Sequence, residues 1–204
     1  MRKDIKMDIL SLFWGQNGKL NLDYIKGRTL WYSYGKDFAN LGENTYMDSP
    51  FTLRGAKYIS LGDNFHACRG CRIQAWDEFE GVKYSPSIKI GNGVSINMNV
   101  DISCINEIVM GDGVQLASNI LIVDHFHGRI DSSEKDIAPT KRILYSKGPV
   151  IIEDNVWIGS NVAILPGVRI GESAIIGANT VITHDIPAGA VCTGNGAAKV
   201  IKIL

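Results

Sequence analysis

The sequence predicts an all-β solenoid: a parallel β-helix of triangular cross-section, preceded by a short helical segment and carrying one long protruding loop. Three observations support this prediction. Aliphatic residues recur every six positions over much of the chain, turn-forming residues separate them, and every break in the repeat follows a third repeat. Repeats of this kind are typical of proteins in which stacked coils share one continuous core.

The most regular part of the chain has a period of six residues. One series of aliphatic positions consists of Ile152, Ile158, Ile164, Ile170, Ile176 and Ile182, with Ala188 closing it. A second series, four positions after each of these, consists of Val156, Val162, Val168, Ala174, Thr180, Ile186 and Cys192. Residues two positions apart, such as Val162 and Ile164, share one face of a short strand. An α-helix would need a period of about 3.6 residues and a β-sandwich would need longer strands, so both are excluded.

The same phase continues upstream in groups of three repeats. The groups are Leu41, Met47 and Leu53; Leu61, Ala67 and Ile73; Ile90, Ile96 and Ile102; and Met110, Leu116 and Ile122. Extra residues follow each group, and the insertion after Ile122 is the longest. Three repeats per coil give a triangular prism, so all the insertions should lie at one corner. We therefore expect residues 79–87 and 123–149 to protrude from the same edge, two coils apart.

The repeat divides the chain into three parts. Residues 1–37 precede it, residues 38–193 form the β-helix with the loop 123–149 inserted, and residues 194–204 form a C-terminal tail. Apolar residues at helical spacing between Ile5 and Phe13 predict a short amphipathic helix. We expect this helix to pack against the rest of the protein, with contact to a membrane surface as the alternative.

Composition excludes several classes of function. The formal net charge is zero and no block of Lys or Arg stands out, so a nucleic-acid-binding role is not indicated. No apolar run is long enough to span a bilayer. Four cysteines are too few and too scattered for a disulfide framework, and Cys68-x-x-Cys71 lacks the second pair of a zinc site. We therefore expect core thiols, with Cys71 and Cys192 buried and unreactive, in a cytoplasmic protein.

A run of the C-terminal repeats resembles a known family. The segment Ile158-Gly-Ser-Asn-Val-Ala-Ile-Leu-Pro-Gly-Val-Arg-Ile-Gly171 is similar to the signature of the hexapeptide-repeat acyltransferases. Asp124-His125-Phe-His127 and Thr183-His-Asp-Ile-Pro187 resemble the galactoside and maltose O-acetyltransferases, and the long loop resembles O-acetyltransferases of capsule and lipopolysaccharide gene clusters. The resemblance implies a left-handed β-helix, a homotrimer, acetyl-CoA as co-substrate, and a sugar or glycan acceptor.

Acetyl transfer to an alcohol needs a base for the hydroxyl proton, and histidine, with an ordinary pKa of about 6.5, suits this task. His125 lies where the repeat breaks into its longest insertion, and the resemblance places the family's catalytic histidine at this position. His127 is expected either to contact the acceptor or to be an ordinary loop residue. Asp124 would either orient an imidazole or serve the turn. His66 and His184 are expected at outward turn positions in structural or solvent-exposed roles.

The resemblance also implies the remaining site residues. Asn97 and Trp157 match family positions that contact the acceptor or the pantetheine arm of coenzyme A. The cofactor arm would run along the last regular coils, where its contacts would be Trp157, Ser160, Ala178, Thr183, Lys199 and Lys202. The chain departs from the family at Gly194-Asn-Gly-Ala-Ala-Lys199, where relatives have a proline, so the lysines' placement is the least constrained part of this assignment.

The sequence therefore predicts an acetyl-CoA-dependent O-acetyltransferase of a surface polysaccharide or its cytoplasmic precursor, acting without a metal ion. Three alternatives stay open: an enzyme acting on a small molecule or antibiotic, a zinc carbonic anhydrase of the same fold, and a non-catalytic assembly protein. The carbonic anhydrases need three histidine ligands, whereas only His125 and His127 lie near one loop here.

Overall fold

The computed structural model describes residue 31 and residues 33–129, 132–194 and 199–203. These residues form a stack of three-sided coils built from short strands. The strands of the first half are β1 (Asn40–Leu41), β2 (Tyr46–Met47), β3 (Thr52–Arg54), β4 (Ile59–Leu61), β5 (His66–Ala67), β6 (Arg72–Ala75), β7 (Glu78–Phe79), β8 (Val82–Lys83), β9 (Ser87–Ile90), β10 (Ser95–Ile96), β11 (Asp101–Cys104) and β12 (Glu107–Met110). Those of the second half are β13 (Gln115–Leu116), β14 (Leu121–Val123), β15 (Phe126–His127), β16 (Leu144–Tyr145), β17 (Val150–Ile152), β18 (Trp157–Ile158), β19 (Ala163–Ile164), β20 (Arg169–Ile170), β21 (Ile175–Ile176), β22 (Val181–Ile182), β23 (Ala190–Thr193) and β24 (Lys199–Ile203). Three single turns of 3-10 helix, Ala56–Tyr58, Ser132–Glu134 and Pro139–Lys141, lie in the connections.

Three sheets form the sides of the prism. The first sheet stacks β1, β4, β9, β12, β17 and β20; the second stacks β2, β5, β10, β13, β18, β21, β23 and β24; and the third stacks β3, β6, β11, β14, β19 and β22. Neighbours within them run parallel and lie one coil apart, except that β24 directly follows β23 and pairs with it antiparallel. The predicted repeat of three strands per coil is therefore confirmed. We call the corners between the first and second, second and third, and third and first sheets the first, second and third edges.

The core of the prism consists of the predicted aliphatic series. The register aligns Ile122 with Ile102 on one side and Ile164 on the other, so side chains of the same kind stack along the prism axis. Ile102, Ile122 and Ile164 are completely buried, and burial of one such side chain is worth about 1.5–3 kcal/mol. Branched side chains suit this interior because they pack well on a pleated surface. A single coil could not bury its own inner face, so stability comes from stacking.

Asparagine side chains form a ladder along the second edge. Asn99, Asn119, Asn161 and Asn179 occupy the same turn position in four successive coils, each with φ close to 60°. The amide of each donates to the next, with N···O distances of 3.1, 3.1 and 3.0 Å. Asparagine is one of the few residues that adopts this backbone conformation at little cost. The turn residues of the repeat thus contribute hydrogen bonds between coils as well as reversing the chain.

The insertions lie together at the third edge, as the sequence predicts. The antiparallel pair β7–β8 follows a strand of the third sheet, and the pair β15–β16 follows another strand of that sheet two coils later. The first pair begins at Glu78, one residue before the predicted segment 79–87, and the second pair lies within 123–149. Tyr84 joins them, because its hydroxyl donates to the Leu144 carbonyl at 3.1 Å and accepts from the Leu144 amide at 3.0 Å. The Lys141 ammonium and the Glu80 carboxylate add an ion pair at 3.3 Å.

The predicted phase is wrong in the last coil. Ile186, and not Ala188, pairs with Ile170, and Cys192 pairs with Ile176 of the main series. The turn after Ile182 is two residues shorter than the six-residue count requires, so Ile186 is buried and Ala188 is exposed. Cys192 is buried as expected, but at a different position of the repeat from the one predicted.

Residues before and after the predicted solenoid contact its two ends. Trp31 packs on Phe38 and Phe51 at ring-centroid distances of 5.1 and 6.1 Å, so part of the segment before residue 38 covers the first coil. The tail is not a simple extension, because Lys199–Ile203 pairs antiparallel with β23. The predicted helix between Ile5 and Phe13 lies outside the described residues. Among the described residues, no helix is long and apolar enough to cross a membrane.

Candidate active site

The third edge holds a histidine–aspartate pair at the start of the longest insertion. Asp124 and His125 follow β14 directly, and the His125 Nδ1 atom lies 2.9 Å from a carboxylate oxygen of Asp124. The aspartate is completely buried and the histidine side chain is 9% exposed. An ionised carboxylate only accepts hydrogen bonds, so this contact assigns the proton to Nδ1 and leaves the Nε2 lone pair free. No described residue hydrogen-bonds to Nε2.

Asp124 is fixed by the preceding coil. Its carboxylate accepts from the amide of Ile105 at 2.9 Å, from the amide of Asn106 at 2.7 Å, and from the thiol of Cys104 at 3.1 Å. Cys104 is buried, and burial together with the negative charge of Asp124 raises the pKa of its thiol, so the thiol remains a donor. Four donors therefore surround this carboxylate, and it can turn neither away from His125 nor toward solvent.

His127 projects from the ribbon that follows. It lies in β15, is exposed, and meets the Phe79 ring edge-on at a centroid distance of 5.5 Å. Phe79 in turn contacts Trp76 at 6.2 Å in the same geometry. A row of aromatic rings from both insertions thus lies at the same edge of the prism as His125.

The residues expected at the acceptor and cofactor sites fall on two different edges of one chain. Asn97, Ser160 and Ala178 occupy turns of the second edge, where the Asn179 amide donates to the Ser160 carbonyl at 2.9 Å and joins two of these turns. His125 and Thr183 occupy the third edge, in coils four and six. The Asn97 carboxamide oxygen accepts from the Met98 amide at 2.8 Å, and its side chain is exposed. One chain alone does not bring these two groups together.

The other expected contacts lie on the second sheet and at its last strand. Trp157 begins β18 and is 51% exposed, which is unusual for so large an apolar side chain inside a regular repeat. Lys199 and Lys202 both belong to β24, and Lys202 is exposed. The Thr183 hydroxyl is hydrogen-bonded to Nδ1 of His184 at 2.8 Å. His184 is exposed and His66 is half-buried.

This arrangement can perform general base catalysis. The buried carboxylate fixes the imidazole tautomer and orientation and would stabilise the imidazolium that forms when Nε2 takes a proton. The sequence left two roles for Asp124, orienting an imidazole or serving the turn, but its position in the repeat favours the first. Asp124 lies two residues after Ile122, as Cys104 lies two after Ile102, and this spacing points a side chain into the core. An acid at an inward position needs buried partners, and His125 is one of them.

Comparison with known proteins identifies relatives of this chain. Residues 149–184 match the family described as bacterial transferase hexapeptide (six repeats). WbbJ of Escherichia coli (strain K12), named as a lipopolysaccharide biosynthesis O-acetyl transferase, is 35% identical over 157 residues, covering 75% of this chain and 76% of WbbJ. Galactoside O-acetyltransferase of the same organism is 28% identical over 190 residues, covering 83% of this chain and 74% of the enzyme. The galactoside O-acetyltransferase of Lactococcus lactis is 29% identical over 162 residues, covering 78% of this chain and 60% of that enzyme.

Solved structures share the fold. A mutant of AntD, an N-acyltransferase from Bacillus cereus, superposes with a TM-score of 0.68 at 19% identity and covers 85% of this chain and 88% of AntD. Its structure contains dTDP-4-amino-4,6-dideoxyglucose and coenzyme A. A hexapeptide-repeat acetyltransferase from Vibrio cholerae superposes with a TM-score of 0.55 at 21% identity, covering the whole of this chain and 90% of that one. At these identities the likeness shows the fold alone.

Proposed function

The chain belongs to the bacterial hexapeptide-repeat acyltransferases, and from that premise we propose that it transfers an acetyl group from acetyl-CoA to a sugar hydroxyl, with His125 as the general base. The observation that carries this proposal is the buried Asp124–His125 pair, whose Nε2 is free at the start of the longest insertion. The family match also accounts for the left-handed sense of the solenoid that the sequence resemblance implies.

In the proposed reaction the acceptor oxygen forms a bond to the carbonyl carbon of the thioester while its proton moves to Nε2 of His125. The carbon–sulfur bond then breaks, and the imidazolium returns the proton to the sulfur of coenzyme A. Asp124 would hold the ring in place through its contact with Nδ1 and stabilise the positive charge of the imidazolium. No covalent enzyme intermediate is needed, because holding both reactants beside the base removes much of the entropic barrier.

Acetyl-CoA would lie against the last regular coils. A second structure of the Vibrio cholerae relative contains acetyl-CoA, and the AntD structure contains coenzyme A. On this chain the turns of Ser160 and Ala178 offer backbone amides in successive coils, and the exposed Trp157 ring offers an apolar surface for the pantetheine arm. Thr183, Lys199 and Lys202 complete the proposed contacts, and the lysines are the proposed partners of the coenzyme A phosphates.

The acceptor would bind under the insertions at the third edge. WbbJ is named for lipopolysaccharide biosynthesis and AntD was solved with a nucleotide sugar, which together favour an activated sugar or a glycan precursor in the cytoplasm. Aromatic rings commonly pack against sugar rings, and Phe79 and His127 provide such rings near the base. We therefore propose that residues 123–149 cover the acceptor and that His127 contacts it.

A homotrimer would complete the site. Asn97 at the second edge and His125 at the third edge face different directions from one prism, and a neighbouring prism packed alongside can supply the missing group. Three-fold closure satisfies every such interface with the same pair of edges. The Asn97 side chain is exposed and therefore available to a substrate bound between chains.

The test is an acceptor screen with acetyl-CoA and a colorimetric readout of the thiol released. Nucleotide sugars, simple galactosides and an amino-sugar nucleotide would be compared at equal concentration, with His125→Ala as the control. We expect turnover with a hydroxyl acceptor, and a fall of about 10²–10⁴-fold in the control. Faster transfer to the amino sugar than to every hydroxyl acceptor would overturn O-acetylation. If the His127→Ala and His125→Ala variants are equally active, the pH profiles of the two variants would decide which histidine is the base.

A further inference from the structure

Three side chains able to bind a metal meet at the second edge of the first two coils, and none of them has a role in the proposed reaction. Asp48 follows β2, His66 is in β5, and Cys68 follows β5. One carboxylate oxygen, one ring nitrogen and one sulfur from these residues all lie within 4.8 Å of one another, and each side chain is partly buried. The cluster lies one coil before Asn97, because the Cys68 amide donates to the Ile96 carbonyl at 2.8 Å.

The backbone holds the three residues at fixed spacing. The amide of Asp48 donates to the Ala67 carbonyl at 2.8 Å and that of His66 to the Val94 carbonyl at 3.0 Å, so all three positions belong to the ladder of the second sheet. The His66 ring stacks on Tyr46 at a centroid distance of 4.2 Å and an interplanar angle of 34°. Coil spacing and ring stacking thus place the donor atoms before any ligand binds.

The histidine nitrogen has an unmet requirement. Nε2 of His66 is inaccessible to solvent and has no hydrogen-bond partner among the described residues. Its nearest charged neighbour is Asp48 Oδ2 at 3.6 Å, beyond the range of a good hydrogen bond. A buried polar atom left unpaired costs about 1–3 kcal/mol, so a ligand that takes its lone pair would be favoured. An ion pair between His66 and Asp48 would explain why the carboxylate lies beside the imidazole. It would not explain why the Cys68 thiol lies beside both.

We propose that Asp48, His66 and Cys68 bind one zinc-type transition-metal ion. A set of one oxygen, one nitrogen and one sulfur suits zinc or cobalt, whereas magnesium and calcium prefer oxygen alone. Tetrahedral metal–ligand bonds of about 2.0–2.3 Å separate the donor atoms by about 3.3–3.8 Å. The Asp48 and His66 donors, 3.6 Å apart, already have this spacing, and the three donor atoms all lie within 4.8 Å of one another. Three protein ligands leave a fourth position for water.

The metal would fasten the first coil to the second. Asp48 belongs to coil one and His66 and Cys68 to coil two, so a shared ion links neighbouring coils near the start of the solenoid. Binding to the folded state alone stabilises it in proportion to the logarithm of metal concentration. This inference does not depend on the acetyl-transfer proposal, since none of the three residues belongs to the proposed reaction site.

The experiment titrates chelator-treated full-length protein with Co²⁺ and follows its absorption spectrum, with zinc affinity measured by competition. We expect one ion per chain, with a thiolate-to-cobalt band and the intense visible bands of four-coordination. The band should disappear in Cys68→Ser, and affinity should fall more than tenfold in His66→Ala and Asp48→Asn. Cys192→Ser and His184→Ala, which remove the same residue types elsewhere, should bind as the wild type does. Retention of the band in Cys68→Ser, or equal losses in the control variants, would overturn the proposal.

A second measurement covers the case in which a cluster variant fails to fold. Wild-type protein is labelled with a thiol reagent with and without Zn²⁺, and each modified cysteine is identified by mass spectrometry. We expect zinc to slow the labelling of Cys68 at least tenfold while leaving the pattern at the other cysteines unchanged. Labelling of Cys68 at the same rate with and without zinc would refute metal binding here.

Discussion

Replacement of Asp124 by Asn tests the role of the buried carboxylate with almost no change in shape. One carboxylate oxygen contacts His125 Nδ1 and the Ile105 amide, each at 2.9 Å, and the other contacts the Asn106 amide at 2.7 Å and the Cys104 thiol at 3.1 Å. An asparagine offers one oxygen and one NH₂ group to these four donors. The oxygen is expected to stay at the position that accepts from two backbone amides, that of Asn106 at 2.7 Å and that of Ile105 at 3.2 Å, because backbone donors cannot move. The NH₂ group then faces His125 as a donor and forces the ring proton from Nδ1 onto Nε2. Nε2 then has no lone pair with which to accept the proton of the acceptor hydroxyl.

The expected effect is therefore large on turnover and moderate on stability. Loss of a correctly protonated base should lower kcat about 10²–10⁴-fold, with little change in the KM for acetyl-CoA. Loss of charge-assisted hydrogen bonds inside the core should lower the free energy of unfolding by about 1–3 kcal/mol. The rate of thiol release measures kcat, and thermal denaturation measures the loss of stability.

Asp112→Asn is the matched control, since Asp112 also accepts a backbone hydrogen bond, from Asn92 at 2.7 Å, but contacts no histidine. The control should keep wild-type turnover. If Asp124→Asn is destabilised as expected but retains kcat within about twofold, the carboxylate serves only the fold and the tautomer argument fails.

Three further predictions follow from the geometry. Tyr84→Phe removes both hydrogen bonds to Leu144, so limited proteolysis within 123–149 should become faster while the melting temperature changes little; unchanged proteolysis would show that other contacts hold the insertions together. Cys71 and Cys192 should resist thiol reagents in native protein, because both are buried and burial raises the pKa of Cys71 to about 11. Only about one Cys71 thiol in a thousand is then ionised at pH 8, and labelling should accelerate as pH rises; rapid labelling at pH 7 would contradict the assignment. Trp157→Ala should raise the KM for acetyl-CoA about two- to tenfold without loss of stability, since the ring is exposed, and an unchanged KM would exclude a contact with the cofactor.

The sequence could predict the coil and the edge of the insertions because both depend on counting. Residues at a spacing of six all point toward the core, and breaks that follow every third repeat all fall at the same corner of the prism. The count failed only after Ile182, where the turn is shorter. There the Ile186 amide donates to the Arg169 carbonyl at 2.8 Å, and the Asp185 carboxylate accepts from the Arg169 amide at 2.8 Å. These contacts draw Ile186 inward, and no regular repeat could reveal them.

The candidate site was predictable in its location and not in its geometry. The insertion after Ile122 and the family resemblance both pointed to His125. Its orientation depends on Asp124, whose donors Ile105 and Asn106 lie in the preceding coil, 18 to 19 residues earlier. Such contacts are set by coil stacking and cannot be read from neighbouring residues. The approach of His66 to Asp48 and Cys68 arises in the same way, since positions one coil apart become neighbours.

The central claim is that two edges, from two chains, form one site in which His125 is the base. Asn97→Ala and His125→Ala proteins, each inactive alone, would be unfolded together and refolded as mixed trimers. Each mixed trimer then has one interface that carries both wild-type residues, so random assembly at equal amounts should restore about one quarter of wild-type activity. A mixture of Asn97→Ala with the double variant contains no such interface and should remain inactive. If mixed trimers form and the single variants together also remain inactive, the two residues act within one chain and the shared site is wrong.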